Sequence, residues 1–512
     1  MTGNPGVAMS EYRRIDDILR ARAAAAPLDP ALIEGAAVLA YGELETAVDF
    51  TSGWLESLGV RPGDRIMVVC ENSIAAVILI YAALRRDAWA VPVNARLSAR
   101  EIDIIRDHCA PRRIFYTSRV SPEAADHGAR HGAETVDFEP IGTVAVSKPG
   151  TGAAEPCFDD PARQAAILMY TSGTTGAPKG VMLSHASMLF MAHIWVEMRA
   201  AKPNDRLYCV LPITHIYGLA NGVFGAIAAG AGVELEARFD PVRLYRALGA
   251  GTTLLQGVPA MYAKLLEHMD AEGLALDAPD LRYVSGGGAF VDLDLKRRME
   301  SVTGLPFING YGLTEAAPTV SVMRVDDPHD NESAGPAVPE TELRLIDPAS
   351  GSEVEAGGTG ELWVRGPQIM LGYYNDKAAT DAVLRPDGWL NTGDLARIDD
   401  AGSLWIVGRT RELIIRSGFN VFPAEVESVL LAHPAVTLCG VVGRKTDGNE
   451  EVIAFVQPAP GADVTSEQLA EWAFERLASY KMPSRIILDK ALPATNSGKV
   501  RKHELLERAI NL

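Results

Sequence analysis

Tyr170-Thr-Ser-Gly-Thr-Thr-Gly-Ala-Pro-Lys-Gly180 follows without a break on the apolar run Gln164-Ala-Ala-Ile-Leu-Met-Tyr170. Seven residues of that kind, bounded by polar turns, read as a buried strand. The strand runs straight into hydroxyls, two glycines and a lysine. Glycines allow backbone N–H groups to turn inward as an anion nest, and Ser and Thr hydroxyls add donors. Lys179 adds a positive charge. The candidate phosphate contacts are therefore Thr171, Ser172, Gly173, Thr174, Thr175, Gly176 and Lys179. Pro178 stands where the Walker pattern requires glycine before the lysine, so this is a different phosphate loop.

Outward from this strand the chain alternates apolar runs with amphipathic stretches: DRIMVVC (64–70), SIAAVILIYAALRR (73–86), AWAVPV (88–93). Repeated strand, helix, strand predicts an α/β architecture. A Gly-, Pro-, Ala- and Ser-rich stretch over 145–160 reads as a linker or surface loop before the 164–170 strand. From about Thr341 short strands (ELRLID, ELWVRG, LWIVGR) alternate with Gly/Asp turns, which predicts an antiparallel β-rich portion. Beyond Arg411, AEVESVLLAH (424–433) and SEQLAEWAFERLASY (466–480) read as helices, VTLCGVVGR and EEVIAFVQP as strands, and VRKHELLERAI as a final helix. The expected organisation is a large compound domain over 1–410 and a small α+β domain over 411–512.

The 512 residues are 47% hydrophobic and 22% charged, which excludes a disordered or fibrous chain. The net charge of −18 argues against nucleic acid as a partner. The five cysteines (70, 109, 157, 209, 439) show no CxxC spacing, and suit reduced, small buried hydrophobes in a cytoplasmic protein. The first twenty residues contain no apolar run resembling a secretory signal. Ile216 to Val233 is long enough to span a membrane, but its Asn221 and five glycines point to a buried helix with turns.

The 170–180 string closely resembles the signature loop of the adenylate-forming superfamily, which includes acyl- and aryl-CoA synthetases, peptide-synthetase adenylation domains and luciferases. Further segments match in the family's order. Pro212-Ile-Thr-His-Ile-Tyr-Gly218 resembles its P-x-x-H-x-x-G segment. The resemblance implies that His215 lies between the acyl pocket and the reacting carboxylate, where it could bond that carboxylate or gate the thiol channel. Ser285-Gly-Gly-Gly-Ala289 resembles the stretch bordering adenine and the acyl group, with Gly287, Gly288 and Ala289 as contacts. The implied acyl pocket draws on His215, Tyr217, Gly286, Gly287 and the segment Gly257 to Tyr262. Lys264, just beyond, could pair with a second carboxylate.

Asn309-Gly-Tyr-Gly-Leu-Thr-Glu315 resembles the Y-G-x-T-E segment. Asn309, Gly310 and Gly312 frame it. Tyr311 would offer a face to adenine, Thr314 a hydroxyl to the α-phosphate and Glu315 a hard oxygen to Mg²⁺. Thr392-Gly-Asp394 resembles T-G-D, with Asp394 accepting from the ribose hydroxyls and Arg409 contacting ribose or phosphate. Arg411 occupies the hinge position, where many relatives have Asp or Lys. Ile415-Arg-Ser-Gly-Phe-Asn420 resembles a loop lining the pantetheine tunnel (Ser417, Gly418, Phe419), but Ile415 replaces the family's lysine and Ser417 its first glycine. Asn496-Ser-Gly-Lys499 matches the C-terminal Gly-Lys core, with Lys499 as the presumed catalytic lysine.

The resemblance implies an ATP-dependent carboxylate–CoA ligase using ATP, Mg²⁺ and coenzyme A. A carboxylate attacks the α-phosphate to give acyl-AMP and pyrophosphate. The C-terminal domain then rotates about Arg411, exchanging Lys499 for the 415–423 loop before thiol attack. No acid follows His215 to hold a substrate ammonium, and the mostly apolar pocket suits an aliphatic or aromatic monocarboxylate. The alternatives are an acyl-AMP ligase loading a carrier protein, a dicarboxylate (malonate-type) ligase, a luciferase-like oxygenase and a non-catalytic nucleotide-binding module. The expected partners are small molecules, with no transmembrane segment; a homodimer stays open.

Overall fold

The computed structural model describes residues 11–171, 178–416, 419–446, 449–494 and 500–512. Runs such as Arg65–Cys70 and Tyr283–Gly286 are buried at every position. That is the signature of parallel strands covered on both faces. They fall into two eight-stranded sheets. One has the order Thr319–Val322, Phe307–Gly312, Tyr283–Gly286, Leu254–Gly257, Arg206–Cys209, Gly232–Leu235, Pro30–Glu34, Ala37–Ala40. The other has the order Gly372–Tyr373, Lys179–Ser184, Ala165–Thr171, Trp89–Asn94, Arg65–Cys70, Arg113–Tyr116, Gly142–Val146, Glu134–Phe138. The central pairs are parallel and the outer ones antiparallel.

The helix Ile74–Arg85 is buried from Ile74 through Leu84. A helix apolar all round can only sit inside the core. One apolar cluster joins it to the helix His185–Met198 and to strands of both sheets. The expectation for 216–233 holds in substance. Ile216–Gly218, a π-helical Leu219–Phe224 and Gly225–Ala229 form one buried helical run ending at the strand Gly232–Leu235. Gly225 is required there, since a Cβ would stand 2.4 Å from the Trp195 ring. Among the described residues no helix is long and apolar enough to cross a membrane.

By its contacts the chain divides into two units. The first comprises residues 1–330, Pro336–Glu342 and Arg365–Leu390, and holds both large sheets. The second comprises Asn331–Gly335, Leu343–Val364 and Asn391–Leu512. It contains most of a four-stranded sheet ordered Glu342–Ile346, Thr359–Arg365, Leu390–Ile398, Leu404–Arg409. It also contains a three-stranded sheet, Val436–Thr446 antiparallel to Asn449–Pro458, which runs parallel to Arg485–Leu488. The helices Pro423–Leu431, Ser466–Phe474 and Lys502–Ile510 cover this sheet through two apolar clusters.

Two expectations are corrected. The helix expected over 466–480 stops at Phe474, because the chain bends to bring Leu477 into the core while Phe474 stays 71% exposed. Four cysteines are buried as expected, but Cys157 is exposed, lying in a run without helix or strand before Ala165.

Candidate active site

Thr171 and Lys179 pair across the antiparallel strands Ala165–Thr171 and Lys179–Ser184. The two ends of the 172–178 segment are thereby held side by side. Ser172, Gly173, Thr174, Thr175 and Gly176 lie outside the described residues. Lys179 places its Nζ 4.6 Å from the centre of the Tyr373 ring. Tyr373 belongs to the short strand Gly372–Tyr373, paired with Met182 and Val181. Its hydroxyl donates to Glu315 Oε1 at 2.8 Å. The backbone repeats the link, because the Met370 N–H donates to the Glu315 carbonyl at 2.9 Å. Burial and the Glu315 carboxylate push the Tyr373 phenol well above its ordinary value, so it stays a donor. Lys179 and Glu315, read as separate contacts from sequence, are thus gathered on one tyrosine that sequence reasoning missed. Nothing in Leu371-Gly-Tyr-Tyr-Asn375 marks it, since its partners come from two distant segments.

Glu315 and Thr314 sit in the short turn Thr314–Ala316, after the strand Phe307–Gly312. Gly312 has no room for a side chain, because a Cβ would lie 2.1 Å from the Pro318 carbonyl. Thr314 and Asn309 are buried. Asn309 Oδ1 accepts the Gly310 N–H at 3.0 Å, and Tyr311 pairs with Ser321. A Mg²⁺ ion commonly takes one or two carboxylates and completes its shell with water and phosphate oxygens. An oriented Glu315 suits that demand. Among the described residues no cluster of three His, Cys, Asp or Glu offers an all-protein cage.

Gly257, Gly286 and Asn309 lie side by side in three parallel strands. In α/β sheets ligands bind in the crevice beyond such strand ends. Gly287 follows, its N–H donating to the Gly257 carbonyl at 3.2 Å. A Cβ on Gly287 would stand 3.4 Å from the Gly310 carbonyl and 3.5 Å from the Tyr217 hydroxyl. Gly286 abuts Phe307, and Gly288, at φ +76°, lies beside Val258. Gly288 and Ala289 are exposed. The structure therefore brings Tyr217, Gly286, Gly287, Gly288 and Gly310 together. Burial pushes the Tyr217 phenol up to about 12. His215 caps Ile216–Gly218, its Nδ1 accepting the Tyr217 N–H at 3.1 Å. In the neutral ring that leaves the proton on Nε2. The imidazole is exposed. Of the remaining pocket candidates, Tyr262 is core, with its hydroxyl on the Ser285 carbonyl at 2.5 Å, and Lys264 is exposed.

In the second unit, Asp394 and Arg409 are register partners, with Oδ1 to Nε at 3.1 Å. The Thr392-Gly-Asp394 stretch of the strand Leu390–Ile398 is tied down by the Thr392 hydroxyl. Thr392 Oγ1 donates to the Leu362 carbonyl at 2.8 Å and accepts the Asp394 N–H at 3.1 Å. Arg411 lies in the turn Thr410–Glu412, whose Thr410 hydroxyl donates to Glu361 at 2.9 Å. Ser417, Gly418 and Lys499 lie outside the described residues, and the Phe419 backbone pairs with Arg416. Ala494 and Val500 bridge on either side of the segment that contains Lys499.

A family model described as AMP-binding enzyme matches residues 19–374, and one described as AMP-binding enzyme C-terminal domain matches residues 425–499. A feruloyl-CoA synthase of Amycolatopsis sp is 36% identical over 493 residues, covering 95% of this chain and 97% of that protein. An indoleacetate–CoA ligase of Aromatoleum aromaticum is 32% identical, covering 91% of this chain and 92% of that one. The solved o-succinylbenzoate CoA synthetase of Bacillus subtilis, in complex with its acyl-adenylate intermediate, superimposes with a TM-score of 0.83 at 29% identity, covering 95% of this chain and 97% of that chain.

Proposed function

The chain belongs to the AMP-binding enzyme family, and on that premise we propose that it ligates an aromatic monocarboxylate to coenzyme A. The reaction class is that of an AMP-forming acid–thiol ligase. A carboxylate oxygen attacks the α-phosphorus of ATP, the bond to pyrophosphate breaks and acyl-AMP forms. A thiol then attacks the acyl carbon, and AMP leaves.

The observation that carries the site reading is the convergence of Lys179 and Glu315 on Tyr373. Both reactants of the first step are anions, so their repulsion must be offset where charge develops. In this reading Lys179 and the donors of 171–176 bind the phosphates, and Glu315 holds Mg²⁺. The ion would neutralise phosphate charge. Thr314 donates to the α-phosphate, while Asn309, Gly310, Tyr311, Gly312, Gly287, Gly288 and Ala289 border the adenine. Asp394 and Arg409 take the ribose, Lys499 the reacting phosphate, and Arg411 is the hinge between 1–410 and 411–512. Ser417, Gly418 and Phe419 line the way for CoA.

His215 and Tyr217 face the acid. The acids named for the feruloyl and indoleacetate relatives are aromatic, and the Tyr217 ring beside Gly287 supplies an aromatic neighbour on the acid side of this reading. A pyrophosphate-release screen over aromatic, aliphatic and dicarboxylic acids, with and without CoA, tests it. Aromatic acids should turn over fastest, with acyl-CoA formed only when CoA is present. Turnover confined to aliphatic acids or diacids would refute the acid class. Acyl-AMP accumulating unchanged by CoA would point to a carrier-protein acceptor instead.

A further inference from the structure

Asn72 lies just past the strand Arg65–Cys70 and is 2% exposed. Its Nδ2 donates to the carbonyls of Cys209 and Leu211, at 3.1 and 3.0 Å. Its Oδ1 accepts the Ile213 N–H at 2.9 Å. One amide thus serves residues 209, 211 and 213, which alternate along a single backbone. An amide can make about four hydrogen bonds, and three are spent here. The backbone it serves leaves the strand Arg206–Cys209 and reaches His215 two residues beyond Ile213. Without Asn72, the Cys209 carbonyl would keep the Glu236 N–H at 3.0 Å, but the Leu211 carbonyl and the Ile213 N–H would each lose their amide partner.

The neighbouring Glu71, with its side chain 2% exposed, holds Arg96 at 3.2 Å and Arg238 at 3.0 Å. Arg238 follows the strand Gly232–Leu235, which neighbours Arg206–Cys209. Glu71 and Asn72 therefore fasten the end of a strand in one large sheet to the segment leaving the other. The first of these sheets carries Lys179, and the second leads to His215 and Tyr217.

We propose that Asn72 is a positioning residue for the acid-activating step. It fixes where His215 and Tyr217 stand relative to Lys179, and so how the carboxylate meets the phosphate. The proposal rests on the reading of His215 and Tyr217 as the acid side of the site. Nucleophile and phosphorus must be held in near-attack geometry, and displacement by about 1 Å can cost about 100-fold in rate. A single buried amide that ties the end of a strand in one sheet to the backbone leaving the other sets that spacing directly.

The test is a double-mutant cycle on the full chain, joining Asn72→Asp to His215→Ala and read by steady-state pyrophosphate release with the best acid of the screen. Asn72→Asp preserves shape but turns a carboxylate toward two carbonyls; Asn72→Ser is the milder second variant. Asn72→Asp should raise the acid KM and lower kcat, together about tenfold or more in kcat/KM, with the ATP KM within about twofold. In the His215→Ala background the same change should cost under about threefold, because coupled residues are non-additive. Equal rises in the acid and ATP KM values, or additive effects, would overturn the positioning role and leave Asn72 a structural tie. A silent His215→Ala would overturn the acid-side reading itself, and the positioning role with it.

Discussion

Tyr373 takes its place in the site through two contacts of different kinds. Its hydroxyl orients the Glu315 carboxylate, and its ring face lies under the Lys179 ammonium. The contributions separate by mutation. Tyr373→Phe keeps the ring and deletes the bond to Glu315. A hydrogen bond to a charged group is worth about 1.5–3 kcal/mol, so kcat/KM for pyrophosphate release should fall about tenfold or more. Tyr373→Ala should fall further, because the cation also loses its aromatic face. Wild-type rates in Tyr373→Phe would refute a role for the bond. At this scale the sequence identifies residue types with great economy. Lys179, Glu315, Asp394 and Arg409 are proposed for the site from the strings around them. Tyr373 and Asn72 are not, because neither works on its neighbours in the chain.

The helix His185–Met198 shows how an element carries a burden of its own. His185 is fully buried at its first turn, and its Nδ1 accepts the Ile15 N–H at 3.2 Å. Its Nε2 has no partner among the described residues. Burial and the charge of Arg14 hold the imidazole down at about 3. The unfolded chain binds this proton below its ordinary value of about 6.5, and the folded chain does not. Stability from this group is therefore complete above pH 6.5 and is lost progressively as the pH falls toward 3. Between pH 7 and pH 5 the loss should be about 2 kcal/mol. Urea unfolding at several pH values checks this, and His185→Gln should flatten that part of the profile; an unchanged slope would refute it. The helices and strands themselves were largely legible, since period and burial agree in runs such as Ile74–Arg85. The π-helical turn at Leu219–Phe224 was not, since packing of the run against Trp195 and the sheet, rather than propensity, shapes it.

Over the whole molecule, the chain's contacts collect residues 343–364 and 391–409 with the C-terminal portion, so the β-rich segment and the last α+β domain form one unit. The proposed alternation about Arg411 has a separate test. Lys499→Ala should abolish pyrophosphate release while sparing thioester formation from supplied acyl-AMP, and equal loss in both half-reactions would refute it. The net charge of −18 sharpens the demand on the site, since ATP, CoA and the acid are all anions. Local cations must override the global field. What the sequence determined by itself was the chemistry carried by contiguous strings. A strand running into hydroxyls, glycines and lysine, or a glutamate closing Asn309 to Glu315, would in the proposed reading work through adjacent backbone, and adjacency is written in the sequence. What only the tertiary structure decided was the company each string keeps. Tyr373 between Lys179 and Glu315, Tyr217 against Gly287 and Asn72 on the segment leading to His215 join residues far apart in the chain. Such pairings arise from sheet order and register, which depend on packing the whole core at once.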